Sequence, residues 1–118
     1  VRQTLLHRDV NFIRADAAHL PFSDNCFDLS FSRELLHHVS SPSRVIKEMQ
    51  RVGKRIVIME ANKNVPYMIW EYYEGHKHFS PREFEDILRN ALGKIRVFDS
   101  LESMLIEPFL YFSTDYLK

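Results

Sequence analysis

Lys54-Arg55-Ile56-Val57-Ile58-Met59-Glu60 is the stretch on which the fold turns. Its centre is continuously apolar, without the alternation of a strand wetted on one side, which is the pattern of a strand buried on both faces in a parallel sheet. Upstream, Ser41 is a natural N-cap with Pro42 at the first helical position. Val45, Ile46, Met49 and Val52 then recur at helical spacing until Gly53 stops the run. Before that helix, Cys26 to Ser32 alternates with a period of two, placing Phe27, Leu29 and Phe31 on one face and Asp28 and Ser30 on the other.

Further out, Val10 to Ala15 is short, partly β-branched and ends at Asp16, so it reads as another strand, with Leu5 and Leu6 ending a helix before it. Downstream, Pro66 to Glu74 can open a helix carrying Met68, Ile69, Trp70, Tyr72 and Tyr73. Ser80-Pro81-Arg82-Glu83 is a capping box, and Phe84, Ile87, Leu88, Ala91 and Leu92 follow on one side until Gly93. That helix is scaffold, with Arg82, Glu83, Glu85, Asp86 and Arg89 as its solvated face. Lys94 to Ser100 and Phe109 to Ser113 read as strands, expected to pair antiparallel. The alternation of strand and helix points to an α/β sheet, mostly parallel.

At 118 residues the chain has room for one domain. Hydrophobic residues are 45% and charged residues 27%, enough apolar material for a core. Lys plus Arg and Asp plus Glu are 16 each, so no global field recruits nucleic acid or anionic lipid. The single cysteine, Cys26, cannot form an internal disulfide, which fits a reducing, cytoplasmic setting. No window approaches the roughly 20 apolar residues of a membrane span, and Val1 to His7 has no apolar signal core. The three glycines, Gly53, Gly75 and Gly93, sit at helix ends or turns, so the chain has no phosphate-cradling loop and cannot alone be a complete nucleotide-binding Rossmann unit.

Ala15-Asp16-Ala17-Ala18-His19-Leu20-Pro21-Phe22-Ser23-Asp24-Asn25-Cys26-Phe27-Asp28, followed by Leu36-His37-His38-Val39, resembles the class I S-adenosylmethionine-dependent methyltransferases, in particular the branch acting on small molecules. In that family the third strand ends in an acidic residue and runs on through Leu-Pro-Phe, a polar turn and Phe-Asp. Glu48-Met49-Gln50-Arg51-Val52-Gly53-Lys54 is similar to the family's helix ending, shortened here, and Ile56 to Glu60 to its fifth strand. Glu60-Ala61-Asn62 through Asn64-Val65-Pro66 is similar to a Glu-Pro-Asn, Asn-Pro segment of some members.

The resemblance implies a partial Rossmann-like methyltransferase sheet. Residues 1–118 would be a single truncated domain from the third strand onward, because the family's glycine-rich turn and the acidic residue after its second strand precede the segment matching Val1. A parent enzyme would then transfer a methyl group from S-adenosylmethionine to a small-molecule acceptor, and the fragment alone would bind the cofactor weakly or not at all.

In open α/β sheets ligands sit beyond the carboxyl ends of the strands, where Asp16, Ser32, Arg33 and Glu60 are expected. Asp16 can accept a hydrogen bond from an exocyclic amine while the Ala17 backbone N–H donates to a ring nitrogen, which together read an adenine edge. The competing role for Asp16 is to end a strand and cap a turn. Cofactor-binding candidates are thus Asp16, Ala17, Ser32 and Arg33; acceptor-side candidates are His37, Glu60 and Tyr67. Tyr67, Trp70, Tyr72 and Tyr73 occupy the place where the family builds substrate lids, or else cover the sheet. Adjacent histidines on a helix point about 100° apart, so one of His37 and His38 is expected to face the crevice and the other to pack. Six histidines invite a metal, but no Cys pair or His-Glu-x-x-His helix accompanies them, and none is expected. No residue is compelled to be a catalytic base.

A different class of function stays open: a non-catalytic binding or assembly module built on the same fold. A sheet that lacks two strands should either let the strand near Val10 slide in against the one near Cys26, giving five strands, or leave an edge open for self-association.

Overall fold

Ile56 and Ile58 have no solvent exposure and anchor the centre of the sheet, as their apolar run indicates. The computed structural model describes residues 9–63, 78–93, 105–106 and 109–113. Along them run β1 (Phe27–Arg33), α1 (Pro42–Val52), β2 (Gly53–Ala61), α2 (Pro81–Leu92), β3 (Leu105–Ile106) and β4 (Phe109–Ser113), with a 3-10 turn at Leu36–His38. The sheet order is β1-β2-β4-β3. β1 and β2 are parallel, with Phe31 opposite Val57, and β4 is antiparallel to both β2 and β3.

The helices cover one face of the sheet. Val45, Ile46 and Met49 of α1 and Phe84, Leu88 and Ala91 of α2 close with Ile56, Ile58, Leu110 and Phe112 into one core. α2 begins as its capping box requires: Ser80 Oγ accepts the Glu83 N–H at 3.2 Å. It stops at Gly93, whose φ of 74° suits glycine and whose N–H donates to Arg89 O at 2.8 Å. In α1, Ser41 stands at the N-cap, but its side chain makes no capping bond; only its carbonyl accepts, from Val45 N–H at 3.2 Å. Gly53 ends α1 at an ordinary φ of −108°. Its constraint is proximity, since a Cβ there would lie 2.7 Å from Ser30 Cβ on the neighbouring strand.

Several sequence expectations are corrected. Residues 10–15 form no strand and no ladder with β1; Val10, Phe12 and Ile13 are exposed, and the adjoining bridge joins only Asp16 to His19. The sheet therefore has four strands among the described residues, and β1 is its edge. The apolar face of β1 points away from the helices: Phe27, Leu29 and Phe31 are 40%, 49% and 57% exposed, while Ser32 is buried. Because Phe31 registers with Val57, this face continues onto β2, which α1 and α2 cover on the opposite side. β3 falls in what the sequence presents as a connection. Leu5 and Leu6, the candidate helix Pro66 to Glu74 and the candidate strand Lys94 to Ser100 lie outside the described residues. No helix among the described residues is long and apolar enough to cross a membrane.

One side chain ties the loop after Asp16 to the scaffold. Arg51 of α1 donates from Nη1 to Phe22 O at 2.7 Å and Asp24 Oδ1 at 2.9 Å, and from Nη2 to Leu20 O at 3.0 Å. Its Nε donates to Glu48 Oε1 at 2.8 Å, and Glu48 Oε2 accepts the Leu20 N–H at 2.7 Å. The Arg51 guanidinium, then the Leu20 N–H, pull the Glu48 carboxyl down to about 2.

Candidate functional site

The parallel strands β1 and β2 deliver their carboxyl ends, Arg33 and Ala61, to one edge of the sheet. The chain leaves β1 through Glu34, held at a left-handed φ of 55° while its N–H donates to Met59 O at 2.9 Å. It then enters the 3-10 turn. Glu60, one residue before the end of β2, receives that turn: its Oε1 accepts the Leu36 N–H at 2.6 Å, and its Oε2 lies 2.9 Å from His37 Nδ1. The His37 and Glu60 side chains are only 3% and 1% exposed. Burial pushes the Glu60 carboxyl up to about 7, against the lowering effect of the Leu36 N–H. Glu34 is also raised, by burial first and by the charge of Glu60 second.

Asp16 lies in a different setting. Its Oδ1 accepts the Ala18 N–H at 2.9 Å, its Oδ2 is 3.2 Å from His19 Nδ1, and its carbonyl accepts the His19 N–H at 3.0 Å. These contacts, the Ala18 bond foremost, hold the carboxyl below the usual range. It therefore caps its own turn, yet the side chain stays 68% exposed. It opens onto a cleft of about 400 Å³ lined also by Ala18, Val39, Ser40, Arg44 and Val45. Arg44 closes that cleft by donating from Nε to Ala18 O at 3.2 Å. A second cleft of about 310 Å³ is lined by Leu36, His37, Val39, Ser40, Pro42 and Phe79. Val39 and Ser40 belong to both clefts.

The residues singled out from sequence thus separate into groups. His37 and Glu60 meet directly, and His37 lines the second cleft. Asp16 lines the first, and Ala17 packs partly buried against the core. Ser32 is buried and Arg33 exposed, and neither lines either cleft. Tyr67 lies outside the described residues. His37 is both the packed histidine and the one at a cleft, whereas His38 is exposed with its ring centroid 3.9 Å from that of His37. Sequence reasoning missed Arg44, Glu34 and the Arg51–Glu48 clamp. Only the i,i+3 spacing of Glu48 and Arg51 could have signalled one of them.

Residues 1–58 match the family described as a methyltransferase domain. Over those residues the chain carries a methyltransferase domain, and its fold is similar to that of S-adenosylmethionine-dependent methyltransferases. Its fold is similar to that of a methyltransferase from Thermotoga maritima, titled a possible histamine N-methyltransferase, with a TM-score of 0.63 at 22% identity over 94% of this chain and 63% of that one. Among curated relatives, the demethylmenaquinone methyltransferase of Paenarthrobacter aurescens is 46% identical over 55 residues, which is 44% of this chain and 22% of the relative. A C-methyltransferase of ubiquinone and menaquinone biosynthesis from Haemophilus ducreyi is 35% identical over 60 residues, 48% of this chain and 23% of the relative. The aligned stretch thus spans less than a quarter of either curated relative.

In open α/β sheets ligands bind beyond the carboxyl ends of the strands, here the ends carrying Arg33 and Glu60. Both clefts open beside residues that follow those ends.

Proposed function

We propose that the chain supplies the adenine-reading and acceptor-side part of a methyltransferase that moves a methyl group from S-adenosylmethionine to a small molecule. The observation that carries this is the pair of clefts sharing Val39 and Ser40, one edged by an ionised aspartate and the other by a buried histidine. Asp16 fits an adenine: its exposed carboxylate has acceptor capacity beyond the Ala18 and His19 contacts, and Val39 and Val45 offer apolar surface for a ring. Ala17 would supply the backbone donor. Ser32 and Arg33 serve the site by forming the strand end. The cofactor, when bound, brings a methyl group already activated by the sulfonium. The protein's task is then to align the acceptor with it and to exclude water.

The second cleft suits an apolar acceptor. Leu36, Val39, Pro42 and Phe79 give it apolar walls, and His37 adds one oriented polar ring. An aromatic, quinone-like ring fits that lining and agrees with the names of the curated relatives. Tyr67 is retained as an acceptor-side residue by its position after β2. The 118-residue chain is expected to bind weakly, because none of the described residues is assigned to the methionine and ribose ends of the cofactor.

Titration calorimetry with S-adenosylhomocysteine tests the reading. Asp16→Ala should weaken binding by about 1–3 kcal/mol, the cost of stranding one polar partner. Unchanged affinity removes Asp16 from the site. A folded protein that binds no S-adenosylhomocysteine at all would instead favour the non-catalytic module.

A further inference from the structure

Glu34, His37 and His78 come from three separate places: the left-handed residue after β1, the 3-10 turn, and the segment leading into α2. One ligand-capable atom from each lies within 4.8 Å of the other two. The His37 and His78 ring centroids lie 4.6 Å apart, with the ring planes tilted by 45°. Glu34 Oε1 is buried with no hydrogen-bond partner among the described residues. We infer that Glu34, His37 and His78 form a site for a divalent first-row transition ion such as Zn²⁺, with Glu60 as the carboxylate that orients His37.

Three observations support it. Two imidazoles and one carboxylate are the donor set of three-ligand zinc and iron sites with an open position, and imidazole selects such ions over Mg²⁺. Metal-bound histidines ordinarily donate their other ring N–H to a carboxylate, and Glu60 Oε2, 2.9 Å from His37 Nδ1, supplies that arrangement. It specifies the tautomer with the lone pair on Nε2. Finally, Glu34 adopts a backbone conformation that non-glycine residues rarely hold, and the Met59 carbonyl pins it there.

Tetrahedral coordination with bonds of about 2.1 Å needs ligand atoms roughly 3.4 Å apart, so side-chain rotations of about an ångström would close the site. His37 also lines the second cleft, so a bound ion could offer its open position to an acceptor oxygen. That consequence rests on the functional reading; the metal site does not, and it is tested without cofactor or acceptor.

The test is calorimetry of the 118-residue chain with Zn²⁺ alone, paired with the visible absorption of the Co²⁺-loaded chain. One ion per chain and a tetrahedral or five-coordinate Co²⁺ spectrum are expected, with Mg²⁺ unable to compete. His78→Ala and Glu34→Gln should each lose at least about tenfold in affinity, and Glu60→Gln about 10- to 100-fold, the range for outer-shell partners. His19→Ala, in the other cleft, should lose none. If a variant fails to fold, the wild-type Co²⁺ spectrum and the Mg²⁺ competition still decide. Absent stoichiometric Zn²⁺ binding, equal competition by Mg²⁺, or affinity that survives both ligand variants would overturn the site.

Discussion

Glu60 Oε2 lies 2.9 Å from His37 Nδ1, and this contact joins the end of β2 to the turn after β1 with both side chains almost wholly buried. The same carboxyl accepts the Leu36 N–H at 2.6 Å, so one side chain holds the turn that walls the second cleft. Replacing Glu60 by Ala strands two buried donors, and the expected loss is about 2–5 kcal/mol. Glu60→Gln keeps an acceptor oxygen and should lose less. Urea unfolding distinguishes them; equal losses for the two variants would mean that Glu60 acts by packing alone.

The clamp between Arg51 and Glu48 predicts an acid dependence. Glu48 titrates near 2 in the folded chain against an ordinary 4.5, so the unfolded chain binds more protons between those values. Stability from this pair is complete above about 4.5 and falls as pH drops toward 2. In Glu48→Gln that part of the decline should be missing from denaturation curves taken across the window. An identical acid profile in the variant would show that the pair contributes nothing through ionisation.

Gly53→Ala should cost about 1–3 kcal/mol, the usual penalty for overpacking, because the new Cβ meets Ser30 Cβ at 2.7 Å and Arg55 O at 2.9 Å. The backbone itself tolerates alanine at φ −108°. Thermal melting of Gly53→Ala beside the double variant Gly53→Ala, Ser30→Gly isolates the contact: relief in the double variant is expected, and no relief would place the strain elsewhere.

Phe31 and Leu29 stand exposed on the edge strand, a surface that promotes association. Sedimentation of the wild-type chain should show concentration-dependent self-association that Phe31→Lys reduces, with stability changed by no more than about 0.5 kcal/mol. A wild-type chain that stays monomeric at high concentration would contradict this.

Local patterns announced the elements whose stability is local. The capping box at Ser80 and the stop at Gly93 bound α2, and the apolar run from Ile56 to Ile58 marked the sheet centre. Val10 to Ala15 misled because β-branched and apolar residues describe what a strand can be made of, whereas a ladder needs a partner edge elsewhere in the chain. For β1 the period of two was right, but nothing in it says which face the helices cover, and they lie over Ser32. His37 and Glu60 were each visible as candidates. Their contact was not, since it depends on the parallel register that brings the ends of β1 and β2 together. Glu34 carried no signal at all, because its left-handed backbone arises from the hydrogen bond to Met59.

The most direct test of the central claim is amide-resolved NMR of the 118-residue chain titrated with S-adenosylhomocysteine, a measurement that maps even weak binding. The account predicts saturable shifts confined to the first cleft and its wall, at Asp16 to His19 and Val39 to Val45, reduced in Asp16→Ala. Shifts centred elsewhere, or none at millimolar ligand while the chain remains folded, would contradict it.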